Sequence, residues 1–199
     1  MTILPATYLG SVEYFAHLER GECIIDIGEH YVKRSPRNRT HIMTANGTLP
    51  LTVHVCNANR PCVAVRDVRI DYSKRWQHQH LTALLSAYRS SPYFDHYFPL
   101  LESFYCKKYD FLADYDLELT SLLLRLAHID RPLRVSQEYV AASAGDVDLR
   151  DKKRESTFRS PEYYQLFSDR HPFAANMSFV DLLFAEGPSS IDVLRRCRL

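Results

Sequence analysis

A short stretch of the sequence contains three basic side chains and one amide side chain: Lys33, Arg37, Asn38 and Arg39. Arginine presents a planar fork that binds a phosphate or carboxylate through two hydrogen bonds, and lysine adds a point charge. This composition favours a clamp for the anionic group of a ligand. A solvated basic turn that nearby acids balance gives the same pattern, so both interpretations stay open.

An acid lies upstream of this basic stretch. Asp26 closes an apolar run over residues 23–27, which is typical of a strand end. A carboxylate there could act as a general base, particularly if burial shifts its pKa. The alternative is a structural salt bridge between Asp26 and Arg37 or Arg39.

His80 shares one helical stripe with Trp76, Leu84 and Tyr88. Imidazole is suited to acid–base chemistry near neutral pH, so His80 is a candidate catalytic group. A histidine on an apolar stripe is also typical of a satisfied core position. His78 is not a metal partner for His80, because positions i and i+2 of a helix point to different faces. We therefore predict no metal site.

Ser178 and Asp181 resemble a nucleophile and its base, but helix capping explains them better. The serine oxygen would accept a backbone N–H, and the acid would favour the positive end of the helix. Asn176 could orient an anionic ligand at that helix N-terminus. Its candidate role is therefore ligand binding.

The chain has 199 residues and a net charge of +1, from 25 Lys and Arg against 24 Asp and Glu. Such a balance does not favour nucleic acid as a partner. The five cysteines include no CxxC pair, which favours reduced thiols in the cytoplasm. We find no signal peptide, no membrane span and no motif for a cofactor, so none of these is predicted. The oligomeric state stays open.

Residues 1–75 read mostly as β structure. Asn46-Gly47 predicts a hairpin, because both positions accept a positive φ, and residues 63–70 alternate like another strand. Helical spacing of apolar residues follows over 76–130, then an exposed, charged loop over 141–161 and C-terminal helices over 176–196. We predict a single α+β domain over 1–199, with a small, mostly antiparallel N-terminal sheet packed with central and C-terminal helices.

An ordered set of motifs covers nearly the whole chain and resembles the WbqC-like protein family. In sequence order the motifs are Leu4-Pro5-x-x-Tyr8-Leu9-x-x-x-Glu13-Tyr14-Phe15, Ile24-Ile25-Asp26, Lys33-x-x-x-Arg37-Asn38-Arg39, Gly47, Leu51-Thr52-Val53, Trp76-x-x-x-His80, Tyr88, Ser91-Pro92-Tyr93-Phe94, Tyr164-Gln165-x-Phe167 and Asn176-x-Ser178-x-x-Asp181-Leu182-Leu183-Phe184-x-x-Gly187-Pro188. One departure is His54, where family members often carry proline. Another is the short, charged stretch at 141–161, where a longer form of the family carries a Tyr-x-Ser-Gly-like loop.

The resemblance implies a role around activated sugars in bacterial surface-polysaccharide (O-antigen) synthesis. The implied activity is an acyl- or aminoacyl-type transfer to an amino sugar, with a small anionic or sugar-nucleotide ligand. The second hypothesis is a non-catalytic protein that docks on enzymes of a glycan pathway, which the absence of an autonomous catalytic motif favours.

Overall fold

The computed structural model describes residues 1–57, 61–151 and 154–199. A βαβ unit opens the chain: strand β1 (Thr2–Pro5), helix α1 (Val12–Arg20) and strand β2 (Cys23–Asp26). The two strands are parallel, with Leu4 opposite Ile25. A parallel pair needs a crossover connection, and α1 provides it.

Two short strands extend this pair into a sheet. Strand β5 (Val135–Ser136) pairs with β2, and strand β6 (Val147–Asp148) pairs with β1. The order in the sheet is β5-β2-β1-β6, and every pair is parallel.

The α+β class is therefore correct, but the prediction of a mostly antiparallel N-terminal sheet is wrong. The strands of the parallel sheet have two to four residues, too few for an alternating pattern to show. Helix α1 carries Glu13, His17 and Arg20 at helical spacing, so a helical signal was present in the sequence, and the prediction of β structure over residues 1–75 missed it.

Among the named strands of the described residues, only β3 (Arg39–Thr44) and β4 (Gly47–Thr52) are antiparallel, and they form a hairpin. This hairpin confirms the prediction around Asn46-Gly47, and Gly47 has a φ of +97°. The strand predicted over residues 63–70 is wrong. A 3-10 turn at Val65–Asp67 replaces it, with isolated bridges on either side.

The predicted helices are confirmed as α2 (Trp76–Tyr88), α3 (Phe94–Tyr105), α4 (Leu112–Leu126), α5 (Phe179–Glu186) and α6 (Ser190–Arg196). They surround a core rich in aromatic rings, in which Trp76 and Tyr8 are fully buried. No helix in the described ranges is long and apolar enough to cross a membrane.

The segment over 141–161 is more ordered than the sequence predicts. It supplies β6 to the sheet, and Arg150 is buried rather than exposed. Lys152 and Lys153 of the predicted charged loop lie outside the described residues. The expectation of an exposed segment therefore holds for residues 141–145 and Val147, and it is wrong for Arg150.

Candidate functional site

A cavity of about 300 Å³ opens at the carboxyl end of β1, beside the first turn of α1. Its walls come from the β1–α1 loop, the start of β3, the segment after β6 and the residues before α5. Strand β1 lies between two neighbours in the sheet. The chain continues from β1 through α1 to β2 on one side, and β6 lies on the other side. Ligands of open parallel sheets bind outside the carboxyl ends of strands at such a switch point.

Hydroxyl groups fix the β1–α1 loop that forms one wall. Leu9 has a φ of +45°, which a leucine rarely adopts. Its carbonyl oxygen accepts from Thr40 Oγ1 at 2.8 Å and from Ser178 Oγ at 2.9 Å. The wall is thus tied both to β3 and to the start of α5.

Ser178 is the N-cap residue of α5 and Asp181 lies in its first turn, as predicted. The predicted side-chain capping bond of Ser178 is absent, and its hydroxyl donates to the Leu9 carbonyl. The Asp181 carboxylate accepts from Tyr88, Tyr163 and Gln165 inside the core. Burial raises the pKa of Asp181, and these three donors oppose the shift.

Glu13 is the acidic centre of the cavity. Asn176 binds it twice: the amide oxygen accepts from the Glu13 N–H at 2.9 Å, and Nδ2 donates to Glu13 Oε2 at 3.0 Å. Ser156 Oγ donates to Oε1 at 3.1 Å, and Arg154 forms an ion pair with the same oxygen. Glu13 is 7% exposed, so the carboxylate is held in one orientation at the α1 N-terminus.

Further nitrogen-bearing side chains line the same cavity. Arg154 and Arg39 line the cavity from different segments, together with His41. Arg39 Nε donates to Thr52 Oγ1 at 2.8 Å, which directs the guanidinium along the hairpin. Burial and then Arg39 lower the pKa of His41, so its ring is neutral at pH 7. The arrangement suits a ligand that carries an anionic group and a proton to lose.

Asp26 lies behind the cavity wall. It is fully buried, and its carboxylate accepts from the N–H groups of Gly28, Glu29 and Val140 at 2.8, 3.0 and 3.1 Å. It also forms an ion pair with Arg150, rather than with Arg37 or Arg39. The structure therefore places Asp26 in a structural salt bridge, with a partner that the sequence did not indicate.

Arg150 joins the ends of two strands. Its side chain binds Asp26 at the end of β2 and, through Nε at 2.9 Å and Nη2 at 2.6 Å, Asp148 of β6. The Asp148 hydrogen bonds raise the pKa of Arg150 further above neutrality. Arg150 lines the cavity, but its donors already bind these two carboxylates.

The other members of the basic stretch are dispersed. Arg37 is 2% exposed and pairs with Glu29, with further bonds to Ser35 Oγ at 3.2 Å and to the Arg150 carbonyl at 3.1 Å. Asn38 is buried and donates to the Val53 carbonyl at 3.0 Å. Lys33 is exposed and does not line the cavity.

His80 lies inside the core, with its Nδ1 2.8 Å from the Tyr8 hydroxyl. Burial lowers the pKa of His80 to about 4, His54 lowers it further, and a hydrogen bond to the Thr52 backbone opposes the shift. The ring is neutral at pH 7. Because one ring nitrogen donates to the Thr52 carbonyl, Nδ1 accepts from Tyr8.

Of the predicted site residues, the structure brings Arg39 and Asn176 to the cavity. Asp26 and His80 do not line the cavity, but each contacts a residue that does. Asp26 pairs with Arg150, and His80 forms a hydrogen bond with Tyr8. Glu13 and Arg154 also line the cavity, and neither was among the predicted site residues. Glu13 stands in the first motif that carries the family resemblance, and this was the available signal. No group of His, Cys, Asp and Glu side chains in the described residues is arranged to hold a metal ion.

The fold and site define an α+β protein with a charged cavity at the carboxyl end of a parallel sheet. The chain matches the sequence model of the WbqC-like protein family over residues 6–153. It therefore belongs to that family. The search of curated proteins and the search of solved structures found no match.

Proposed function

We propose that this protein is a transferase that acts on an activated sugar, such as an amino sugar, in bacterial surface-polysaccharide synthesis. The carrying observation is the Glu13 carboxylate, which Asn176 and Arg154 hold inside a cavity at the switch point of the parallel sheet. The transferred group is of the acyl or aminoacyl type that the family resemblance implies.

Arg154 and Arg39 bind the anionic group of the ligand in this proposal. A phosphate or carboxylate competes with Glu13 for Arg154, because all of them accept hydrogen bonds from the same guanidinium. As Arg154 turns to the ligand, the Glu13 carboxylate loses its ion-pair partner and one of its oxygens becomes free to accept a proton. Glu13 then accepts a proton, as a general base, from the amine or hydroxyl group that forms a bond to the acyl carbon of the donor. The bond between the acyl carbon and the donor breaks, and the donor leaves with the proton that Glu13 returns to it.

The cavity volume limits how much of the ligand is enclosed. Pockets for small molecules range from about 300 to 1,000 Å³, and this cavity is at the lower limit. The enclosed part is therefore one sugar ring or one phosphate-bearing group. The rest of a nucleotide sugar extends into solvent past Arg39 and His41.

The experiment is a thermal-shift panel of nucleotide sugars, acyl-CoA and aminoacyl donors. A ligand at about 100 times its Kd adds about 2.7 kcal/mol, which raises Tm by roughly 5–11 °C for this chain length. Arg154→Ala should reduce the shift to about half, because a tenfold loss of affinity leaves the ligand at about 10 times its Kd and the stabilisation at about 1.4 kcal/mol. Arg170→Ala is the matched control, because Arg170 is 59% exposed and lies outside the cavity.

A second candidate is a non-catalytic protein that docks on glycan-pathway enzymes. The observation that favours it is that Asp26 and His80, the predicted proton-transfer groups, make structural contacts outside the cavity. A blank panel from a cooperatively folding protein would favour this candidate. A pull-down with glycan-pathway enzymes, using wild type and a cavity variant, would then be the discriminating experiment.

A further inference from the structure

The first turn of helix α1 lies at the cavity, but the N–H groups of its first three residues are occupied by the protein itself. Val12 N–H donates to a backbone carbonyl just before α5 at 3.0 Å, and Glu13 N–H donates to Asn176 Oδ1 at 2.9 Å. Tyr14 N–H donates to Ser11 Oγ at 3.4 Å. A helix N-terminus binds a phosphate through N–H groups of this kind. These three positions are therefore closed to a phosphate of the ligand.

A negative charge occupies the same end of the cavity. Glu13 lines the cavity at this turn and is 7% exposed. Like charges repel strongly where little water screens them, so the carboxylate opposes an anion placed beside it. The α1 end of the cavity therefore favours a hydrogen-bond donor, neutral or cationic, over a phosphate or a carboxylate.

The Glu13 carboxylate has one acceptor position left for such a donor. An ionised carboxylate has about four lone-pair positions, two on each oxygen. Oε1 accepts from Arg154 and from Ser156 Oγ at 3.1 Å. Oε2 accepts from Asn176 Nδ2 at 3.0 Å, which is its one hydrogen bond from the described residues. The second position on Oε2 is thus the place where a ligand can donate without displacing a protein contact.

We propose that this position is an ammonium subsite, at which Glu13 Oε2 accepts a hydrogen bond from a protonated primary amine of the ligand. The inference rests on the proposed function, because it assigns a chemical class to the part of the sugar that enters the cavity. Hydrogen bonds between ionised groups are about twice as strong as those between neutral groups, so the carboxylate prefers an amine to a hydroxyl group. The anionic group of the same ligand binds Arg39 and Arg154.

Asn176 is a specificity-determining residue in this arrangement. Its amide oxygen closes the Glu13 N–H to a phosphate, and its Nδ2 orients the carboxylate so that Oε2 keeps one open position. The cavity then selects a ligand that carries a primary amine and an anionic group together. A sugar phosphate without the amine leaves the Oε2 position unfilled.

Three matched ligands test the subsite: glucosamine 1-phosphate, glucose 1-phosphate and N-acetylglucosamine 1-phosphate. They carry the same phosphate and differ at one carbon, which bears a primary amine, a hydroxyl group or an acetamide. Isothermal titration calorimetry with the wild type should give a Kd for glucosamine 1-phosphate at least about tenfold lower than for the other two, since a hydrogen bond between charged groups is lost in both. This comparison does not depend on the folding of any variant.

Glu13→Gln assigns the preference to the carboxylate. Glutamine keeps the shape of the side chain and removes its charge, so the three Kd values should come within about threefold of one another. Glu19→Gln is the matched control, because Glu19 lies on the same helix, pairs with Arg195 and does not line the cavity. It should keep the preference of the wild type.

The outcomes separate this inference from the proposed function. If the wild type binds glucose 1-phosphate or the acetamide as tightly as glucosamine 1-phosphate, the ammonium subsite is wrong, and the proposed function still stands on the binding of a sugar phosphate. If none of the three ligands binds, the subsite is also wrong, and the nucleotide-sugar panel alone decides the proposed function. A preference for the amine that persists in Glu13→Gln would place the amine at another acceptor and overturn the assignment.

Discussion

Asn176 and Glu13 bind each other through two hydrogen bonds, although 163 positions separate them in the sequence. One bond satisfies a backbone N–H in the first turn of α1, and the other orients the carboxylate in the cavity. Asn176→Ala should therefore reduce the free energy of unfolding by about 1–2 kcal/mol, as loss of an N-terminal cap does. Urea denaturation measures the change. Asn176→Ser should retain part of the stability, and equal stability of wild type and Asn176→Ala would contradict the assignment.

Glu13 and Arg154 should respond in opposite ways to substitution. Arg154→Ala removes a charge-assisted contact with the ligand, so affinity should fall about tenfold, which corresponds to about 1.4 kcal/mol. Glu13→Gln removes the competitor for Arg154, so affinity for the anionic ligand should be retained or increase while turnover is lost. Isothermal titration calorimetry measures the affinity of both variants for the ligand that the thermal-shift panel identifies. A parallel loss of affinity in the two variants would exclude the competition.

Arg150 should be essential for folding. Arg150→Met leaves Asp26 buried without its opposite charge, and breaking a buried pair in this way costs about 3–5 kcal/mol. Chemical denaturation measures the loss. Arg195→Met is the control, because Arg195 pairs with Glu19 at the surface and should matter little. Similar effects of the two substitutions would show that the buried network is not stabilising.

Gly10 should not accept a side chain. An added Cβ would lie 2.7 Å from Tyr14 Cδ1 and 2.8 Å from Thr7 Oγ1. Gly10→Ala should therefore destabilise the fold by about 1–3 kcal/mol and displace the cavity wall. Gly145→Ala is the comparison, because its Cβ meets nothing within 4 Å and reports only the strain of a φ of +91°. A larger loss at Gly145 than at Gly10 would refute the steric argument.

His80 should make stability depend on pH. Its folded pKa of about 4 lies below the ordinary value of 6.5, so the unfolded chain binds more protons between these values. The contribution of His80 to the free energy of unfolding is fully present above pH 6.5 and is lost as pH falls towards 4. The loss amounts to as much as about 3 kcal/mol. Urea denaturation at pH 7.5 and pH 5 should show a smaller loss for His80→Asn than for wild type. An equal loss would place the titration elsewhere, for example at His17, whose pKa burial also lowers to about 4.

Local sequence patterns predict several elements of the fold. The helical stripe of Trp76, His80, Leu84 and Tyr88 predicts α2, because residues at that spacing share one helix face. The turn at Asn46-Gly47 predicts the hairpin, because few sequences accept a positive φ there. Strand β1 gave no such signal, since its four residues are too few to show a period.

Sequence patterns predicted helices α2 to α6, the hairpin and the family, and they gave Arg39 and Asn176 as candidate ligand-binding residues, but they missed helix α1. The parallel sheet, and the position of Glu13 and Arg154 at the charged centre of the cavity, follow from the folded structure alone. A buried charge pairs with the partner that the order of the strands brings to it. Asp26 ends β2, and the order of the sheet places Arg150, 124 positions later, against it. The presence of Arg37 and Arg39 near Asp26 in the sequence therefore does not predict which arginine pairs with Asp26.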